Sequence, residues 1–60
     1  MSNYDDLAST EAFLAGRDTA RAYRREGVVC TRDSGPSVCP RGMHANDTAA
    51  WVRGWRSAWT

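Results

Sequence analysis

The chain has 60 residues and a net charge of +1, and its eight basic side chains are all arginine. That length is one domain at most, and so small a chain buries too little surface to be stable without close packing, a staple or a partner. Its few large apolar residues leave little to build the walls of a cleft, which argues against a self-contained enzyme with catalytic residues or a cofactor.

The acidic start lacks an apolar leader segment, and no run approaches the roughly 18 apolar residues of a membrane span. The expectation is a cytoplasmic protein without membrane contact, whose Cys30 and Cys39 stay reduced. Near-neutral charge favours no partner class by itself. Its distribution says more: Asp5, Asp6 and Glu11 lie early, and arginines dominate from Arg17 onward. Arginine is the better bidentate phosphate ligand, although GC-rich codon usage accounts equally well for a chain rich in Arg and Ala.

Residues 1–8 read as a flexible N-terminus with Tyr4 and Leu7 as anchors, and Ser9 or Asp6 as the cap of a helix over 9–26. Gly27 stands where a helix ends through a glycine. On that helix Phe13, Gly16, Ala20 and Tyr23 share a face, and Ala12, Gly16 and Ala20 form a groove of small residues. Arg17, Arg21, Arg24 and Arg25 occupy another arc about 100° wide. Such an arc suits a phosphate backbone; the competing reading is a solvated face whose late arginines complement the helix dipole.

Residues 27–46 form a connector broken by Gly35-Pro36, Cys39-Pro40 and Gly42. It is long for a compact domain, and Val28, Val29 and Val38 are its expected pins. Cys30, Cys39 and His44 match no familiar zinc spacing, and zinc would need a fourth ligand from Asp33 or Asp47. A Cys30–Cys39 disulfide fits the loop length. The simplest reading makes Cys39 a small buried hydrophobe held before Pro40 and Cys30 a free thiol. No metal or cofactor is expected.

Asp47 or Asn46 is expected to cap a last helix over 47–59, which stacks Trp51, Trp55 and Trp59 at a spacing of four. Beside them runs a second small-residue row, Ala50, Gly54 and Ala58. A mid-helix glycine costs about 1 kcal/mol relative to alanine, so Gly54 implies a contact too close for a methyl group. The pattern predicts an all-α fold. Two helices would pack as an antiparallel hairpin, groove to groove, with Trp51 and Trp55 in the core and Trp59 open to a partner.

Phe13-Leu14-Ala15-Gly16-Arg17, then Cys39-Pro40, then Trp51-Val52-Arg53-Gly54-Trp55-Arg56-Ser57-Ala58 resemble ribosome modulation factor and its relatives, the Rmf/CrpP-like small proteins. The resemblance covers half to two-thirds of the chain, and Trp-x-x-Gly-Trp-Arg is its most specific part. It implies two helices and a connector, with Gly16 and Gly54 at the helix contact and Trp51 and Trp55 in the core. It also implies binding to small-subunit ribosomal RNA, where such factors block messenger pairing and favour inactive ribosome dimers.

Arg17 and Arg56 match motif positions, and Arg21, Arg24, Arg25 and Arg53 join them as candidate phosphate ligands. Three features depart from the founding factor: a longer insert before Cys39-Pro40, Arg41 in place of an aromatic residue, and near-neutral charge. Two other functions fit the size: a phage-borne or accessory module that dimerises or binds a protein through Trp59, and, by resemblance to some relatives, an enzyme of ATP-dependent antibiotic modification.

Overall fold

The structure, a computed structural model, describes residues 3–59, with side chains from residue 10 onward. Among the described residues the protein is all-α. Helix α1 is Asn3–Glu26, a 3₁₀ turn follows at Arg32–Ser34, a single-turn helix α2 at Gly35–Val38, and helix α3 at Ala45–Ser57.

Helix α1 starts earlier than expected, so residues 3–8 are helical rather than flexible, and Asp6 and Ser9 lie inside the helix. No glycine or proline interrupts this stretch. The proposed anchoring by Tyr4 and Leu7 lies outside the described side chains, as do Met1, Ser2 and Thr60 altogether. The other end is as expected. Gly27 has φ 76°, its N–H donates to Arg24 O at 3.2 Å, and Val28 N–H donates to Tyr23 O at 2.9 Å. That is the paired closure of a Schellman cap, whose left-handed residue favours glycine.

Helix α3 begins two residues earlier than expected, and neither Asn46 nor Asp47 is its cap. His44, extended at φ −59° and ψ 148°, caps it instead, and its Nδ1 accepts from Asn46 N–H at 3.2 Å. Asp47 instead lies in the first turn, where its charge faces the exposed backbone N–H groups.

The two long helices meet backbone to backbone at Gly16 and Gly54. A Cβ on Gly16 would overlap the Trp51 carbonyl oxygen and lie 2.8 Å from its carbon and 3.1 Å from Trp55 N. A Cβ on Gly54 would overlap the Phe13 carbonyl oxygen and lie 2.7 Å from its carbon and 3.0 Å from Arg17 N. Each glycine therefore rests on an i→i+4 backbone unit of the other helix, at a range that admits Cα–H···O contacts of roughly 3.3–3.6 Å.

Beside this crossing Ala20, Ala50 and Trp55 are fully buried and Trp51 is 3% exposed. Ala12 and Ala58 pack at the margins. The two small-residue grooves do face one another.

The helices do not run in opposite directions. Gly54 sits over Phe13 and Arg17, the Trp55 ring meets Tyr23, and Ala58 O accepts from Arg24 Nη1. Contacts thus advance together along both helices. From the crossing near residue 15, Arg24 is about 13 Å up α1, and Ala58 is about 6 Å along α3 from Gly54, at 1.5 Å per residue. In an antiparallel pair those distances would add to about 20 Å, far beyond the reach of an arginine. The antiparallel hairpin is thereby replaced by two helices sharing a direction. The long connector has a mechanical reason: it must carry the chain back along the pair before α3 can start.

On its way it packs on α3. The Trp55 indole N–H donates to Thr31 O at 3.0 Å, and buried Gly35 lies against Trp55 and Val52. Thr31 and Ser34 form a capping box around the 3₁₀ turn. Val38 is half-buried against the core as expected. Val28 and Val29 are not pins; they are 43% and 97% exposed, because the Gly27 turn carries them away from the helix pair.

The tryptophans supply most of the core. Trp51 and Trp55 stack with centroids 5.7 Å apart, and Tyr23 meets Trp55 edge-on at 5.5 Å. Each buried indole contributes roughly 4–6 kcal/mol of transfer free energy, an upper bound taken from the extended chain.

Candidate nucleic-acid interface

Glu26 closes α1 soon after Arg24 and Arg25, so both sit in its last turn, where cations face the free carbonyl end of the dipole. Viewed down the axis from Gly16, Arg21 and Arg25 stand about 140° and 180° away. They point away from α3, and both are exposed. Neither has a hydrogen bond or ion pair to a described residue. On α3, exposed Arg53 and Arg56 are likewise unengaged. These four arginines are available to an anion.

The other two predicted phosphate ligands are occupied. Arg17 directs Nε and Nη2 to Asp18 Oδ1 at 3.3 and 3.2 Å. A solvent-exposed pair of this kind contributes under about 1 kcal/mol, so a phosphate can displace the carboxylate. Arg24 is engaged twice. It caps the end of α3 through Ala58 O, and its guanidinium lies 5.5 Å from the centroid of the Trp59 ring. It therefore acts as a clamp between helices, and the arginine arc of α1 is narrower than its sequence suggests.

Trp59 is correspondingly less open than expected. It is half-buried, 5.5 Å from Trp55, with its Nε1 enclosed and without a hydrogen-bond partner among the described residues. Gly16, Trp51, Gly54 and Trp55 are structural. Cys39 follows α2, where its N–H donates to Gly35 O at 2.9 Å, and its thiol donates to Pro36 O at 3.4 Å. Pro40, exposed, comes next and prevents α2 from continuing. Cys30 and Cys39 are free thiols, both half-buried, and both pack against the tryptophan core. No group of three His, Cys, Asp or Glu side chains that could hold a metal ion occurs among the described residues.

One feature was not foreseen from sequence. Arg32 and Asp33 of the 3₁₀ turn, Pro36 of α2, and Val52 and Arg56 of α3 line a cleft of about 130 Å³. It exists because Thr31, Ser34 and Gly35 fold the turn tightly onto Trp55. The available signal was the spacing Thr31-x-x-Ser34 followed by Gly35-Pro36, a short capping box ahead of a proline-started turn.

Comparison with protein-family models, curated proteins and solved structures finds no match. No helix among the described residues is long and apolar enough to cross a membrane. The described surface carries four unengaged guanidinium groups on two helices, a fifth held only by its neighbour, and a small cleft with a charged rim.

Proposed function

We propose that the protein is a non-enzymatic, cytoplasmic ribosome-associated factor of the ribosome-modulation type. It binds small-subunit ribosomal RNA through Arg21, Arg25, Arg53 and Arg56, with Arg17 joining once Asp18 is displaced, and so modulates or inactivates translation. The observation that carries this reading is the exposure of these four arginines without a partner among the described residues. The resemblance of the Ala-Gly-Arg, Cys-Pro and Trp-x-x-Gly-Trp-Arg segments supports it. Arginine forks suit phosphate oxygens, and their placement on two helices suits a folded RNA with single-stranded segments.

The test is sedimentation of the tagged protein through sucrose gradients of host lysate at low and moderate salt. Co-migration with the small subunit or with ribosome dimers is expected. Four phosphate contacts give a slope near −3 in log K against log salt, so affinity falls about 50-fold between 50 and 200 mM. Arg21→Glu with Arg25→Glu should abolish co-migration without lowering the melting temperature. A wild-type protein that stays at the top of both gradients would refute the reading.

A second reading is a module that dimerises or binds a protein partner. It is favoured by Val29, 97% exposed beside partly exposed Val28. A melting temperature that rises with protein concentration would support it, since association stabilises by mass action.

A further inference from the structure

We infer that the cleft between the 3₁₀ turn and α3 is a ribose-phosphate subsite, seating one sugar-phosphate unit of a single RNA strand. Arg32 and Arg56 line the same cleft from different elements. Neither has a hydrogen bond or ion pair to a described residue, and Asp33, though it lines the cleft too, is not paired with either. Two cations and one carboxylate leave the cleft a net positive charge, the cations repel each other, and a phosphate with several acceptor oxygens bridges them by charge-assisted hydrogen bonds.

The remaining walls define what accompanies the phosphate. Val52 and Pro36 are apolar and fit the carbon face of a sugar. Asp33 is an acceptor with no ion-pair partner, placed beside the cations as an acidic residue is when it takes a ribose hydroxyl. The 2′-hydroxyl is the group that separates RNA from DNA.

The size agrees. At about 130 Å³ the cleft is well below the roughly 300–1,000 Å³ that encloses a whole small molecule. It holds a group, and the attached base must lie outside, as it does in an unstacked single strand. The site is also prearranged. The Trp55 indole holds Thr31, Gly35 lies against Trp55, and the capping box fixes the turn that carries Arg32 and Asp33.

This inference deepens the RNA-binding reading and rests on it, and the experiment separates the two. The full chain, labelled with ¹⁵N, is titrated with adenosine 5′-monophosphate, its 2′-deoxy counterpart and inorganic phosphate. Amide shifts are expected at Asp33, Val52 and Arg56, with the ribonucleotide binding roughly five- to tenfold tighter than the deoxynucleotide, the worth of one hydrogen bond. Arg32→Gln with Arg56→Gln should remove the shifts and leave the melting temperature unchanged. Asp33→Asn should shrink the preference for the ribonucleotide.

If the cleft amides do not move, while Arg21→Glu with Arg25→Glu still abolishes ribosome binding, the subsite is overturned and the RNA reading stands. If inorganic phosphate and both nucleotides bind equally, the ribose assignment is overturned. If the cleft amides move as expected but the protein never co-sediments with ribosomes, the subsite stands and the ribosome reading falls.

Discussion

Against α1, helix α3 presents backbone: Gly54 rests on Phe13 and Arg17, and Gly16 on Trp51 and Trp55. Against the connector it presents side chains, with the Trp55 indole bonded to Thr31 O and its ring edge against Gly35. The two seams share one tryptophan and differ in what can yield. A carbonyl held in a helix cannot step aside without breaking its ladder, whereas an indole can tilt. The first seam should therefore be intolerant of added volume, and the second should respond mainly to lost hydrogen bonding.

The sharpest way to break this contrast is Gly54→Ala. Its methyl group meets backbone on every side, so the helices must separate, at a cost of about 2–3 kcal/mol. A 60-residue domain has roughly 3–9 kcal/mol in total, so thermal melts followed by circular dichroism should fall by about 10–20 °C. An unchanged melt would mean the glycines do not touch.

Trp55→Phe comes next. It keeps most of the apolar surface but deprives Thr31 O of its donor, costing about 2 kcal/mol. Amide exchange should quicken in residues 31–39 more than at the centre of α1. Equal acceleration in both would show that the indole is not the connector's pin.

The same glycine-to-alanine change in the second seam, Gly35→Ala, meets Trp55 Cδ1 at 3.0 Å and Val52 Cγ1 at 3.4 Å. Those are side-chain atoms that can shift, so about 1 kcal/mol or less is expected, and the melting temperature separates it cleanly from Gly54→Ala. Smallest of all is Arg24→Gln, which loosens the end of α3 by under about 1 kcal/mol. Its clearer readout is Trp59 fluorescence, expected to shift to the red as the ring loses its cover.

The first seam was legible in the sequence because small residues at a spacing of four have one dominant use between helices. Gly54, placed between tryptophans and at a cost to the helix, marked the point of contact. Helix direction was not legible. The groove pattern is symmetric and fits either sense, and the one clue to direction is a connector far longer than a hairpin needs. The second seam was hidden for another reason: Thr31 accepts through its backbone carbonyl, which carries no side-chain signature. Val28 and Val29 drew attention as apolar residues, yet the Gly27 turn sends them outward. Arg21, Arg24 and Arg25 are all exposed, but the engagement of Arg24 leaves no local sequence signal, because its partners lie 34 and 35 residues away.

The shared direction of α1 and α3 is the claim on which the rest depends, since it brings Arg24 to Trp59 and sends the connector back along the pair. Nuclear Overhauser contacts from the Trp59 indole test it directly. The account predicts cross-peaks from that ring to the Arg24 side chain and to Trp55, and none to Ala12. Cross-peaks from Trp59 to Ala12, with Arg24 silent, would make the pair antiparallel and contradict it.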